Sequence, residues 1–333
     1  MPIFPADETH IESAGRRLRD GELVAFPTET VYGLGANALD SDAVAKIYDC
    51  KGRPSFNPLI VHVADIESAR NLSSHWNERA EILATAFWPG PLTLVVPKSS
   101  VIPAIVSAGL ETVALRVPAN QIAQRLLQKA GIPLAAPSAN ASGEVSPTRA
   151  SHVIESLGAD IWVLEGGGCE VGIESTVVDV SGPNTAILRP GSIDAREIEA
   201  LIGPLSTASS ENHEAEDTPR ASPGMLLRHY APRAKIHLFP NLTDAHFHAV
   251  LLGADLKIGV LAFAPTRLEA ALEIIAPLDA AVYARNLYAQ LREFDRLGID
   301  LVLAEEVPQS SEWNGVRDRL TRASHKGHQE CRQ

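Results

Sequence analysis

Lys51 and Arg53 stand two residues apart around Gly52, directly before Pro54. In an extended loop, side chains at that spacing point the same way. Two cations aimed together suit a polyphosphate, and an arginine adds bidentate geometry. A solvated basic loop accounts for the spacing equally well, and no G-x-x-x-x-G-K-[ST] P-loop occurs in the chain. The run Pro27-Thr28-Glu29-Thr30-Val31-Tyr32-Gly33-Leu34-Gly35 sets hydroxyls and backbone donors beside two glycines, which permit close ligand approach. An ordinary strand-to-helix turn reads the same way. Residues 137–143 (PSANASG) and Ser146-Pro147-Thr148 gather hydroxyls and an amide before a predicted helix, with Ser146 as N-cap and Pro147 at the first helical position. Free N–H groups there bind anions, although capping and turn chemistry favour the same residues.

Arg116 and Arg189 each close an apolar, β-branched run, in ALR-V-P and ILR-P-G. An arginine there either reaches over a pocket or leaves the core for the surface. His62, between Val61 and Val63, has the setting of a core histidine. His246 and His248 are two apart in a predicted helix, so they share no face and make no metal site. No Ser-His-Asp or Cys-His arrangement stands out by spacing. The chemistry expected is therefore positioning and charge stabilisation rather than covalent catalysis.

The elements that would position these groups follow from apolar runs and their punctuation. Strands are predicted at 22–26, 59–63, 92–96, 112–117, around 133–136, and at 161–164, 177–180 and 185–188. Helices are predicted after Asp7, after Asp40 or Ser41, and over 65–71, 77–87 and 121–130. The stretch from Ser206 to Ser222 is rich in Ser, Glu and Asp, with almost no large apolar residue, and reads as a linker. Beyond it, strands at 235–239, 257–263 and 300–304 alternate with helices at 243–252, 267–275, 283–296 and 313–324. That alternation predicts a small parallel α/β domain.

At 333 residues, with 45% hydrophobic and 21% charged side chains, the chain has ample core for two domains. Three isolated cysteines, Cys50, Cys169 and Cys331, form neither a disulfide framework nor a C-x-x-C zinc site, which fits a reducing cytoplasm. No apolar stretch approaches the roughly 20 residues of a membrane span. A net charge of −12 counts against tracking a long phosphate backbone.

Seven motifs resemble, in order and spacing, the long two-domain threonylcarbamoyl-adenylate synthases of the YrdC-domain family. They are FPTETVYGLGANA, KGRPSFNPL, WPGPLTLV, VALRVPA, PLAAPSANASGEVSPT, ESTVVDV and ILRPGSI. SPGMLLRHYAPRA resembles the family's inter-domain segment, and Leu226 and Leu227 depart from its pattern after the Met. The resemblance implies an α/β fold: a twisted mixed sheet with an open cavity over residues 1–205, a linker at 206–234 folding over the active site, and a Rossmann-like domain at 235–333. It implies the substrates L-threonine, bicarbonate and ATP, with Mg²⁺ on the phosphates and no dedicated metal cage. Threonine is expected near Thr30, His62, Arg116 and Ser175. ATP is expected near Lys51, Arg53, Asn57, Thr112, Ser138, Asn140, Ser146, Arg189 and Tyr230. Lys51, Arg53, Ser138 and Asn140 are expected to stabilise charge at the phosphates. The product would pass to a threonylcarbamoyl-transferase complex that modifies tRNA beside the anticodon, so tRNA is met only indirectly. A carbamoyl-adenylate former of the hydrogenase-maturation type shares this domain, but its acylphosphatase and zinc-finger modules are not visible here. A non-catalytic RNA-binding factor is disfavoured by the charge and by the lack of aromatic-basic interleaving.

Overall fold

The computed structural model describes residues 2–206, 229–242 and 256–324. These divide into two units, residues 2–142 with 146–206, and residues 143–145 with 229–242 and 256–324. The first unit runs β1 (Ile3–Pro5), α1 (Glu8–Arg19), β2 (Val24–Phe26), β3 (Gly33–Asn37), α2 (Ser41–Lys51), β4 (Ile60–His62), α3 (Ile66–Asn71) and α4 (Glu78–Phe87). It continues through β5 (Leu92–Pro97), β6 (Thr112–Arg116), α5 (Gln121–Ala130), β7 (Leu134–Ala135), α6 (Ala150–Leu157), β8 (Trp162–Glu165), β9 (Thr176–Asp179), β10 (Ala186–Arg189) and α7 (Ala195–Ile202).

Local signals account for the helices. Asp7 caps α1 by accepting from the His10 N–H, and Ile11, Ala14 and Leu18 turn one face inward. Asp40 caps α2, which ends at Gly52 in the left-handed region with φ 57°. Asn120 caps α5, whose buried Ala123, Leu126, Leu127 and Ala130 pack with α1 residues in one apolar cluster.

Ten strands join in the order β1-β8-β2-β3-β7-β4-β6-β5-β9-β10. The sheet is mixed: β4 runs parallel to β6 and β5 to β9, whereas β5 with β6 and β9 with β10 are antiparallel. Period-two alternation sorts its centre. Val61, Leu94, Leu115 and Val178 face the main core, with Val44, Ile47 and Leu83 of the covering helices. Ile60, Val95, Ala114 and Val177 form a separate small cluster. One strand period further along lie His62, Thr93, Arg116 and Ser175, so all four stand on the face that this small apolar floor occupies. A bulge between Ile187 and Arg189 sets Arg189 opposite Val177. Leu188 packs on the floor, and the bulge brings two sequence neighbours to the same face.

The second unit is a four-stranded parallel sheet in the order β11 (Lys235–Phe239), β14 (Leu301–Glu305), β12 (Ile258–Ala262), β13 (Leu272–Ile275). Among the described residues two α-helices accompany it, α8 (Ala280–Arg296) and α9 (Asn314–Ser324). The helix expected over 267–275 is contradicted: β13 occupies its end, paired with β12 from Gly259–Leu272 to Ala262–Ile275. Good helix formers lose here to a free sheet edge, a long-range term that local propensity does not contain. The helix expected from Ser146-Pro147 starts later, at Ala150 after Arg149, and those two residues remain loop. β1 and β3, too short and too glycine-rich to read as strands, are held by pairing with β8 and β2. The helix expected over 243–252, with His246 and His248, lies outside the described residues. So does most of the linker, with Leu226 and Leu227.

The bend after β10 depends on a close approach. A Cβ on Gly191 would stand 2.4 Å from the Thr176 backbone N and 2.7 Å from the Ser175 carbonyl carbon. Gly191→Ala is expected to destabilise the protein by roughly 1–3 kcal/mol, read as a lower urea midpoint.

Candidate functional site

Arg116 ends β6 with only 3% of its surface exposed. A buried guanidinium must be both paired and hydrogen-bonded. Its Nη2 donates to Glu29 Oε1 at 2.5 Å, its Nη1 to Thr30 Oγ1 at 2.9 Å and its Nε to the Gly90 carbonyl at 3.2 Å. The hydroxyl chain behind it has a fixed direction. Thr28 Oγ1 gives its proton to the Val31 carbonyl at 2.6 Å, so in the 2.8 Å contact with Thr30 Oγ1 it is Thr30 that donates. Thr30 Oγ1 is thereby left able only to accept from anything further.

Beside this cluster, Arg189 donates through Nε to the Ser175 carbonyl and through Nη2 to Ser175 Oγ, both at 3.1 Å. Ser175 Oγ also meets Thr93 Oγ1 at 2.7 Å. His62 sits opposite Arg116 in the β4–β6 register, with its ring edge-on to Phe26 at 6.2 Å between centroids. Its Nδ1 is buried and has no hydrogen-bond partner among the described residues.

Lys51 and Arg53 do not lie in an extended loop. Lys51 is the last residue of α2, Gly52 is its left-handed cap, and the two side chains separate. Lys51 Nζ donates to the carbonyls of Ser138, at 2.5 Å, and Asn140. Arg53 donates to those of Asn57 at 3.1 Å and Pro58 at 2.9 Å. The glycine that was expected to separate two parallel side chains instead turns the chain. Asn57 is buried, and its Nδ2 has no partner among the described residues.

Backbone bonds bring these groups together. The Thr28–Tyr32 turn is gripped on one side by Tyr32 N to the Pro147 carbonyl and Ala139 N to the Tyr32 carbonyl, both at 2.8 Å. On the other side, Val171 N donates to the Glu29 carbonyl at 2.8 Å and Gly172 N to that of Thr30 at 3.2 Å. Ser142 N donates to the Lys51 carbonyl at 2.8 Å, tying the end of α2 to the same loop. The loops that carry Ser138, Asn140 and Ser146 are thereby bonded to the Thr28–Tyr32 turn at Tyr32, and the loop that leads to Ser175 is bonded to it at Glu29 and Thr30. Thr112 lies at the other end of β6, four residues and about 13 Å from Arg116. Tyr230 belongs to the second unit. There its ring stacks on Tyr288 at 5.9 Å and carries the Arg319 guanidinium at 5.0 Å.

The sequence counts Thr28 only as one of a run of hydroxyls and assigns no role to Glu29, Thr93 or Glu174. Glu174 accepts from Ser146 Oγ at 2.5 Å. Each adjoins or faces a residue that was picked out. A charged residue inside a motif of buried hydroxyls was the available signal. Burial pushes the Tyr32 hydroxyl and Cys169 thiol well up from their ordinary values, so neither ionises near neutrality. A depression of about 460 Å³ beyond the end of β4, lined by Val63, Asp65, Asn71, Gln128 and Pro133 among others, touches none of these groups. Asp65 there caps α3 through Ser68 N. Among the described residues, no cluster of three or more His, Cys, Asp or Glu side chains could hold a metal, and no helix is long and apolar enough to cross a membrane.

Residues 16–191 match the Sua5/YciO/YrdC family, described as "Telomere recombination", and residues 193–325 match "Threonylcarbamoyl-AMP synthase, C-terminal domain". A threonylcarbamoyl-AMP synthase from Pyrococcus abyssi is 42% identical over 325 residues, covering 96% of this chain and 95% of that one. One from Bacillus subtilis is 40% identical over 334 residues, covering 96% and 94%. The crystal structure of P. abyssi Sua5 complexed with L-threonine superposes with a TM-score of 0.89 at 42% identity, over 97% of this chain and 96% of that one. E. coli YciO, at 22% identity and a TM-score of 0.52 over 58% of this chain, shares the fold.

The setting of His62 has a consequence for pH. Burial first, and then the Arg116 charge, lower its pKa from 6.5 to about 3. Between those values the unfolded chain binds a proton that the native chain does not. Stability is therefore lost as the pH falls through that window. The His62 ring resonances are expected to stay constant in an NMR titration from about pH 8 to pH 5. His62→Gln is expected to lose less stability than the native chain over the same range, compared by urea midpoints.

Proposed function

The chain belongs to the Sua5/YciO/YrdC family in its threonylcarbamoyl-AMP synthase form, and on that premise we propose how its own residues carry the reaction. It joins L-threonine, bicarbonate and ATP into threonylcarbamoyl-AMP and releases pyrophosphate. The observation that supports the residue assignment is the buried Arg116, held from three sides with N–H groups left over.

Those remaining N–H groups take the threonine carboxylate as a charge-assisted pair. Thr30, which can only accept, takes a donor from the substrate, either its ammonium or its hydroxyl. His62 and Ser175 line the same sheet face and complete the pocket around the hydroxyl. An amino acid lacking that hydroxyl leaves a buried polar group unpaired there and is rejected. The ammonium and bicarbonate give the carbamate, a water and a proton. A carbamate oxygen then attacks the α-phosphorus of ATP, the bond to the bridging oxygen breaks, and pyrophosphate leaves.

Lys51, Arg53, Ser138 and Asn140 stabilise the charge that builds on the phosphates during this displacement. Asn57, Ser146 and Arg189 flank them. Thr112, about 13 Å along β6 from Arg116, fits the far end of an elongated product. Mg²⁺ arrives with ATP as its complex and needs no cage of its own. The mixed anhydride is reactive, so we place a threonylcarbamoyl transferase and its tRNA immediately downstream, in the cytoplasm where Cys50 and Cys169 stay reduced.

Pyrophosphate release, measured with L-threonine and bicarbonate omitted in turn, is expected to require both. Release that ignores threonine would overturn the reading. The Lys51→Ala plus Arg53→Ala protein is expected to lose kcat by about 10²-fold or more; unchanged turnover would remove those residues from the site.

A further inference from the structure

Glu29 makes an ion pair with Arg116. Its Oε1 lies 2.5 Å from Arg116 Nη2, and the two side chains are only 6% and 4% exposed. Its other oxygen, Oε2, is buried with no hydrogen-bond partner among the described residues. Thr30 Oγ1 and the Gly90 carbonyl take further guanidinium hydrogens at 2.9 and 3.2 Å, so two of the five N–H groups have no partner among the described residues and can serve a ligand.

The charge balance of this cluster selects among carboxylates. Arg116 alone would be a bare cation, and any carboxylate of suitable size would neutralise it. With Glu29 the pair is already neutral. A ligand that sets one negative charge on Arg116 leaves the buried Arg116–Glu29 pair with an excess negative charge. A free α-amino acid avoids this, because it carries its own positive charge on the atom next to the carboxylate-bearing carbon. We infer that Glu29 is a specificity-determining and positioning residue. It holds the Arg116 guanidinium, and through its charge it admits the amino acid as a zwitterion and turns away carboxylates that lack the ammonium. This rests on the reading that Arg116 takes the substrate carboxylate.

The same charge gives the reaction a direction. Carboxylation replaces a positive charge on the substrate nitrogen with a negative one on the new carbamate. Glu29 attracts the first and repels the second, whereas Lys51 and Arg53 attract the second. The carbamate is thus turned from the amino-acid end toward the phosphate end.

The test compares two nearly isosteric ligands by calorimetry on the full-length protein: L-threonine, and its analogue with a hydroxyl in place of the ammonium. Native protein is expected to bind threonine about tenfold or more tightly over the analogue. In Glu29→Gln that preference is expected to fall to near unity or reverse, while Glu29→Asp, which keeps the charge, keeps the preference. Circular dichroism melts establish that each variant is folded. An unchanged preference in folded Glu29→Gln overturns the inference. So does a preference near unity in the native protein, a reading that needs no variant. Absence of any threonine binding to native protein instead overturns the assignment of Arg116, and this inference with it.

Discussion

A positive charge buried at the end of a central strand is the constraint that the first unit is built around. Arg116 must be there, in the β6 register, and it cannot stay there unpaired. Removing one partner of a buried ion pair typically costs about 3–5 kcal/mol. The pair with Glu29 therefore ties the Thr28–Tyr32 turn to the end of β6, across 87 residues of sequence. That turn has few ladder bonds of its own, so loops must grip it. The residues that do so bring Ser138, Asn140, Ser146 and Ser175 with them.

The sheet supplies the other half of the geometry. One face is buried under helices in a large core; on the opposite face α1 and α5 cover Val24, Phe26, Leu134 and Leu164, and beyond them lies a small apolar floor of Ile60, Val95, Ala114 and Val177. Polar side chains stand at the end of that floor because strand alternation puts them there. Arg189 joins them through the bulge in β10. Gly191 lets the following chain pass close over Ser175, where any side chain would collide with backbone. Apolar packing on one side holds the strands rigid, and rigid strands hold the donors on the other side in place.

Some of the site was legible from the chain alone. Arg116 and Arg189 do end strands, and the loops that carry Ser138, Asn140 and Ser146 do bond to the turn after Thr30, because short motifs carry their own turns and hydroxyls. An acid among hydroxyls marks Glu29 as unusual, but nothing local names Arg116, 87 residues away, as its partner. His62 reads as core from its neighbours, and it is buried, yet it stands opposite Arg116 with its Nδ1 unpartnered among the described residues. Alternation says which face a residue takes, but not what lies across from it. Spacing pairs Lys51 with Arg53 only in an extended loop, and the cap at Gly52 separates them.

By itself, the sequence determined what acts over a few residues. The caps at Asp7, Asp40 and Asn120, the apolar faces of α1 and α5, the strands closed by arginine and the order of the motifs all follow from short-range chemistry. The motif order also carried the family. Tertiary structure alone decided the rest: the acid that neutralises Arg116, the bulge that presents Arg189, the carbonyls that hold Lys51, and whether 272–275 would be helix or strand. Each of these depends on pairing register between segments far apart in the chain. Register is settled by the summed burial and hydrogen bonding of the whole sheet, and no local stretch of sequence contains that sum.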